Sequence, residues 1–475
     1  MNTLSSAAKR GYSNWQTWGW SASIFMAFWG LFTINPIPSA IAALLPMVLC
    51  SILWNSKQPQ VPIFAVWMQS FPVIAAVINA NRINLNLDSA LPNNAYLNTF
   101  LYAASGMIVL AYGLRSGLLK SWANQEEALN GILKINDARA FRLYIIFFGF
   151  SFILPSVAYH FSALTQFILP LSLIRYFFAF LIFQKSLLSR HFPLIVFFIL
   201  LAEVAIGFTG FFSGFKTIFY VFAAAVLASS INPLKFLRPR ILPWILALVL
   251  LSSYWQFIKP PFRGFLDQGT NTQSVRIGYG EIANFHLEQF SKFSFQNFLV
   301  GFDSGLERIS YLDYFAGSVN HVPSLKPYQN GRLWSEAVQF LIPRFLNPNK
   351  LIANDSDRTN QFSGQPVAGA DQGTSISIGY FGESYIDFGF PLMLLPIALM
   401  GWIWGKLYSL ILLIKPFTPL NLAVATLFLL SNAASFEASN LKLLSGSIIY
   451  FISFSVFCRF FGSRFWRYLT PGGLP

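Results

Sequence analysis

Residues 379–405 read GYFGESYIDFGFPLMLLPIALMGWIWG, and within this stretch the chain changes solvent. Two carboxylates, Glu383 and Asp387, stand at its head, and no charged residue follows them up to Gly405. An uncharged apolar run of about 18 residues is what one helical crossing of a hydrocarbon core requires. On the other side of Glu383 the chain is of the opposite kind. From about Lys259 to Asp387 it is polar and holds 12 of the 18 acidic residues. Charge is costly near hydrocarbon, so a charge-bearing segment between apolar blocks is where function is expected.

Outside that segment the chain is almost continuous apolar helix. Stretches suited to crossing lie near 15–33, 37–54, 61–79, 96–114, 141–160, 163–183, 192–212, 214–230, 240–258, 387–405, 418–435 and 443–461. Pro36, Pro193, Pro233 and Pro416 mark turns between them. The expected fold is therefore an all-α polytopic membrane protein of about twelve spans. Residues 1–258 form an N-terminal bundle, 259–386 one large external loop with short amphipathic helices, and 387–475 a C-terminal bundle. Lys9 and Arg10 precede the first apolar run as in a signal peptide, but further spans follow at once, so it reads as the first span.

Composition agrees. The chain is 55% hydrophobic and 17% aromatic, with 52 Phe, and only 11% charged, against roughly 25% charged for soluble domains. The net charge of +14 does not indicate nucleic acid, because the basic residues lie in short loops suited to an anionic inner leaflet. With both termini cytoplasmic, the inner segments hold 18 Lys and Arg and the short outer loops hold three, Arg82, Lys216 and Lys442. That asymmetry places the long loop on the outer side of the membrane, in the periplasm or its equivalent. Cys50 and Cys458 lie in apolar segments on the inner side, as unpaired thiols would. With four His and no His/Cys cluster, no metal or cofactor is expected. The charged segment 115–140 is expected to hold a short surface helix without a catalytic role.

Inside the loop, Ile282, Phe285, Phe290, Phe293 and Phe298 fall at helical spacing, which suits a helix on the membrane surface. Asp303 is expected to cap a second helix running through Leu306, Ile309, Leu312 and Phe315. In NGRLWSEAVQFLIPRF, Leu333, Ala337, Phe340 and Leu341 form one face and Arg332, Glu336 and Gln339 another, ending at Pro343. Arg332 precedes Glu336 by four, the weaker order for a helix ion pair, which leaves Arg332 available to another group. Residues 362–375 are either a lid or a solvated loop. Glu383 and Asp387 share a helical stripe with Tyr380 at the start of the tenth span. They serve either as a general base or as acids stabilised by the helix dipole.

LIPRFLNPNK followed by GTSISIGYFGESYIDFGF, Leu341 to Phe390, resembles the signature region of O-antigen and exopolysaccharide repeat-unit polymerases of the Wzy type. There an "IPR…P.K" element and a "GE.Y..FG" element flank the end of the large external loop. Lipid A–O-antigen ligases look similar, but no ligase-type histidine motif surrounds His286 or His321. The resemblance implies a GT-C-like, metal-independent glycosyltransferase that joins oligosaccharides carried on undecaprenyl pyrophosphate, with inversion. It also implies a flippase and a chain-length copolymerase as partners. An O-antigen ligase-type transferase and a lipid-linked oligosaccharide flippase are the alternatives.

That chemistry releases a lipid diphosphate, and fixed guanidinium groups suit the charge that develops on it. The motif singles out Arg344, with Arg332 next. Arg263, Arg276, Arg308, Arg358 and Lys350 are further substrate-binding candidates. Glu383, Asp387 and Glu336 are the candidate bases for the acceptor hydroxyl. Trp334, Tyr328, Tyr380 and Tyr385 either stack on sugars or pack at the membrane interface. Arg175 and Glu203 lie within spans and either pair with each other or face a transport cavity.

Overall fold

A computed structural model describes residues 3–161, 165–211, 214–229, 242–270, 275, 277–342, 346–347, 354–369 and 374–470. Every regular element among them is helical. Seven helices are long and apolar enough to cross a membrane: Pro36–Leu53, Val61–Arg82, Pro92–Gly117, Asp137–Pro155, Thr165–Ser189, Leu394–Leu412 and Asn440–Leu469. They mark a membrane protein. The expected stretches 192–212, 214–230 and 418–435 become Leu194–Gly207, Lys216–Ala228 and Leu420–Asn432, of 14, 13 and 13 residues. At about 1.5 Å per residue these are shorter than a hydrocarbon core of about 30 Å. The stretches 15–33 and 240–258 lie largely within Thr3–Gly30 and Leu242–Leu266. Large apolar side chains face outward, among them Leu194, Leu201, Phe25 and Trp29, as lipid-facing surfaces do.

The stretch that decides the fold differs from expectation in one respect. The expected span at 387 begins at Leu394 instead. A separate helix, Tyr380–Phe388, ends where Gly389 takes φ +67°, and Pro391 follows. Proline lacks an N–H and does not continue a helix, so the return of the loop is a two-part element with a turn between. We call Tyr380–Phe388 the return helix.

Leu394–Leu412 packs lengthwise on Ala95–Gly117. The contact depends on glycines four apart on both partners. A Cβ on Gly113 would lie 2.2 Å from the Ala398 carbonyl oxygen, and one on Gly117 2.3 Å from that of Trp402. A Cβ on Gly401 would lie 2.4 Å from the Leu110 carbonyl oxygen, and one on Gly405 2.3 Å from that of Leu114. Lipid is as apolar as leucine, so membrane helices associate through such close backbone packing.

Arg175 and Glu203 pair with each other, at 2.9 Å. Tyr144 and Tyr176 each donate a hydroxyl to Glu203 at 3.1 Å, and Arg175 also bonds Ser151. Each member of the pair has further polar partners, and together they tie Asp137–His160, Ile174–Ser189 and Leu194–Gly207 to one another. Gln125–Leu133 is the short helix expected in segment 115–140, and Cys50 and Cys458 are buried and unpaired.

Gly113→Leu or Gly401→Leu is expected to force the two helices apart and destabilise the bundle by about 1–3 kcal/mol or more. Gly149, with nothing within 4 Å of its Cβ position, is the control. Thermal midpoints of the detergent-solubilised variants check this: the first two fall and Gly149→Leu stays near the parent value.

Candidate functional site

The charged loop residues gather at one end of the bundle in two places, of opposite electrostatic character. The first is a closed network centred on Arg358. This residue lies on Asp355–Ser363, whose first N–H groups are capped by the Asn354 side chain. One Arg358 nitrogen reaches Glu383 Oε1 at 3.0 Å and Asn440 Oδ1 at 3.3 Å, and the other reaches Glu336 Oε2 at 2.7 Å. Glu336 Oε1 takes Nε of Arg332, also at 3.0 Å. Glu383 Oε2 accepts the backbone N–H of Asn440 at 2.7 Å, at the head of the Asn440–Phe457 helix.

Asp387 stands one turn further along the return helix. It accepts the backbone N–H groups of Leu333 and Trp334 at 3.1 and 3.0 Å, the second and third residues of Arg332–Gln339. The two carboxylates four residues apart therefore each cap a different helix. A helix N-terminus carries unsatisfied N–H donors and partial positive charge, and a carboxylate from elsewhere in the fold answers both. Glu383 and Asp387 share a face, as expected, but they stabilise the starts of two other helices. Both are buried, at 1% and 0% exposure. Burial pushes Glu383 up to about 7, against the opposing pull of Arg358 and the Asn440 N–H. Burial also raises Asp387, against the Leu333 and Trp334 N–H groups.

The second place is cationic. Lys259 and Arg263 are one turn apart near the end of Leu242–Leu266. Arg263 Nε donates to the Phe211 carbonyl at 3.3 Å, and its guanidinium lies over the Phe211 ring. Lys216, at the head of Lys216–Ala228, extends over the Phe215 ring, and that ring packs near Trp255, one turn before Lys259. Arg308 ends Phe295–Ile309, which runs along Leu242–Leu266, and forms a bidentate pair with Glu437 at 3.0 and 2.6 Å. Lys259 lies within charge range of Arg263, Arg308, Lys216 and Glu437. Among the described residues, four cations therefore share this neighbourhood, and the carboxylate of Glu437 faces them. An anion there would relieve their mutual repulsion.

The remaining expected residues fall as follows. Arg276, Arg344 and Lys350 lie outside the described residues. Arg332 is paired with Glu336, in spite of the weaker order, yet stays 70% exposed. Trp334 donates its indole N–H to Ser384 at 3.2 Å. Tyr380 is fully buried and donates its hydroxyl to Gln69, so its ring packs within the protein. Tyr385 likewise donates to the Val322 carbonyl at 3.0 Å. Asp303 is mid-helix and pairs with Arg82 at 2.8 Å, while Ser294 caps that helix in its place. His286 bonds the Tyr254 hydroxyl and the Phe208 carbonyl through its two ring nitrogens. Lys216, Lys259 and Glu437 were not singled out from sequence. Lys216 was visible as one of three basic residues in the short outer loops, and Glu437 as the only acid beyond Asp387. Among the described residues no group of His, Cys, Asp and Glu converges as metal ligands would.

Residues 48–411 match the family described as Domain of unknown function (DUF8712), well over half of the chain, and the chain belongs to that family. No curated protein and no solved structure matches it. The family match takes in Arg358, Glu383, Lys259 and Arg308 and ends before Glu437 and Asn440.

Glu383 titrates higher in the fold than the 4.5 of an unburied glutamate. The folded state therefore holds its proton more tightly, and the associated stability is lost as pH rises from about 4.5 through about 7. Glu383→Gln is expected to flatten that part of the profile, read as thermal midpoint against pH. Arg358→Ala strands two carboxylates, one of them fully buried, and is expected to cost about 3–5 kcal/mol, measured as a fall in the same midpoint.

Proposed function

We propose that this member of the DUF8712 family is a metal-independent membrane glycosyltransferase that polymerises oligosaccharide units carried on a polyprenyl diphosphate. The observation that carries the reading is the gathering of positive charge, among the described residues, at Lys216, Lys259, Arg263 and Arg308 near the carboxylate of Glu437. It lies on the side of the bundle from which the long loop projects. A diphosphate leaving group gains negative charge as its bond to the sugar breaks, and preorganised cations lower that barrier. The resemblance of Leu341–Phe390 to the polymerase signature supports the same reading.

In this reading the chain has about twelve spans in a GT-C-like arrangement, both termini cytoplasmic, in the bacterial cytoplasmic membrane. The three short apolar helices, Thr3–Gly30 and Leu242–Leu266 complete the count. The acceptor hydroxyl of one lipid-linked unit attacks the anomeric carbon of the growing chain. A glycosidic bond forms, the bond from that carbon to the diphosphate oxygen breaks, and the electron pair leaves with the lipid diphosphate. The hydroxyl proton passes to the departing diphosphate or to solvent. Glu383 and Asp387 are committed to helix caps, and Glu437 is held by Arg308. The undecaprenyl carrier, a flippase and a chain-length copolymerase are the implied partners.

Neutralising two of the four cations, Lys259→Gln with Arg263→Gln, is expected to remove most long chains while the protein still inserts. Loss of charge-assisted contacts worth about 1.5–3 kcal/mol each corresponds to tenfold or more per residue. The measurement is the polysaccharide length profile of a deletion strain complemented with the variant; an unchanged profile of long chains would exclude the cluster from the reaction. Arg344→Ala is expected to abolish extension as well, by the same profile.

A further inference from the structure

Phe295–Ile309 carries a feature that the reaction does not use. Phe295, Leu299, Phe302, Leu306 and Ile309 recur at intervals of four, three, four and three, which places them on one stripe of the helix. Phe295 is 74% exposed, and Leu299, Phe302 and Ile309 also stand open. The flanks of the helix are occupied. On one flank Gly301 meets the Ser253 carbonyl so closely that a Cβ would lie 2.0 Å from it. On the other, Asp303 and Glu307 both pair with Arg82, at the end of the span Val61–Arg82. The helix is thus fixed between Leu242–Leu266 and Val61–Arg82. Both carry outward apolar rows of their own, Ile245, Leu246 and Leu250 on one and Phe71 and Ile78 on the other. Apolar patches of this extent are not left in water by soluble surfaces.

We propose that Phe295–Ile309 is embedded in the membrane leaflet on the loop side, its stripe covered by lipid acyl chains continuous with those around the two flanking helices. The stripe ends at Ile309, next to Arg308. The cationic cluster is thereby held at the depth of lipid headgroups, so the phosphate it meets is one borne by a lipid. The depth assignment stands without the transferase reading; the identity of the lipid rests on it.

The test uses the full chain, with Cys50→Ala and Cys458→Ala, reconstituted in phosphatidylcholine–phosphatidylglycerol vesicles. Single variants Leu299→Cys, Phe302→Cys and Lys292→Cys carry an environment-sensitive fluorophore. Labels at 299 and 302 are expected to be quenched several-fold more by doxyl-labelled lipid than by iodide, and the label at 292 the reverse. Iodide quenching at 299 and 302 equal to that at 292 overturns the proposal. Hydroxyl-radical footprinting of the unsubstituted protein in the same vesicles repeats the test without a label. Protection of Phe295, Leu299 and Phe302 supports embedding, and oxidation at the level of the exposed Lys292 segment refutes it. An unaltered polysaccharide profile in cluster variants would remove the transferase reading and leave the depth assignment standing.

Discussion

One short helix determines how the loop joins the bundle. Tyr380–Phe388 places Glu383 and Asp387 on the same face, and each carboxylate accepts the N–H groups that open another helix. Glu383 holds the start of the last long span, and Asp387 the start of Arg332–Gln339. The left-handed turn at Gly379 lets the chain pass close to the Phe436 carbonyl as it enters this helix, where a Cβ would lie 2.8 Å away. Tyr380 then ties the helix inward through Gln69, which donates to the Ala433 carbonyl at 2.6 Å. An isolated helix of nine residues is not stable in water. This one persists because its acids are needed at two other helix ends and its aromatics are buried.

The contrast between the two charged places separates architecture from chemistry. Around Arg358 every charge has its opposite: Arg332, Glu336, Arg358 and Glu383 alternate in sign, and the last carboxylate ends on a backbone N–H. Such a network is neutral and closed. It fixes geometry, and opening it is costly because it leaves charge buried. Around Lys259, among the described residues, cations outnumber carboxylates. A fold does not gain stability by gathering four cations about one carboxylate; it gains a site that an anion completes. Function in this chain is therefore sought where the electrostatics are unresolved, and the residues that satisfy one another are read as scaffold.

Much of the architecture was legible in the sequence because it follows from solvent. Long apolar runs, prolines at their edges and a polar segment between them mark the helices and the loop. The spacing of Glu383 and Asp387 was legible as a shared face. The helix ends they would meet were not, because those lie fifty or more residues away and depend on tertiary packing. The break at Gly389–Pro391 was in plain view, yet hydropathy alone carried the span back to Asp387. Asp303 looked like a cap by residue type, but Ser294 caps that helix nine residues sooner, and Asp303 became a partner for Arg82. Gly113, Gly117, Gly401 and Gly405 formed two G-x-x-x-G patterns whose meaning appears only when the two helices are side by side.

The same logic bears on why the candidate bases and the candidate cations behave differently. Glu383 and Asp387 hold helix termini through their carboxylate oxygens, and protonating either weakens those charge-assisted contacts. A leaving diphosphate makes no such demand. It needs only standing positive charge, which arginine keeps at any physiological pH. In the proposed reaction, a transfer limited by departure of the lipid diphosphate does not call on Glu383 or Asp387 as a base. Under that proposal, the rate depends on the positioning of cations and on bringing the acceptor hydroxyl in line with the bond that breaks.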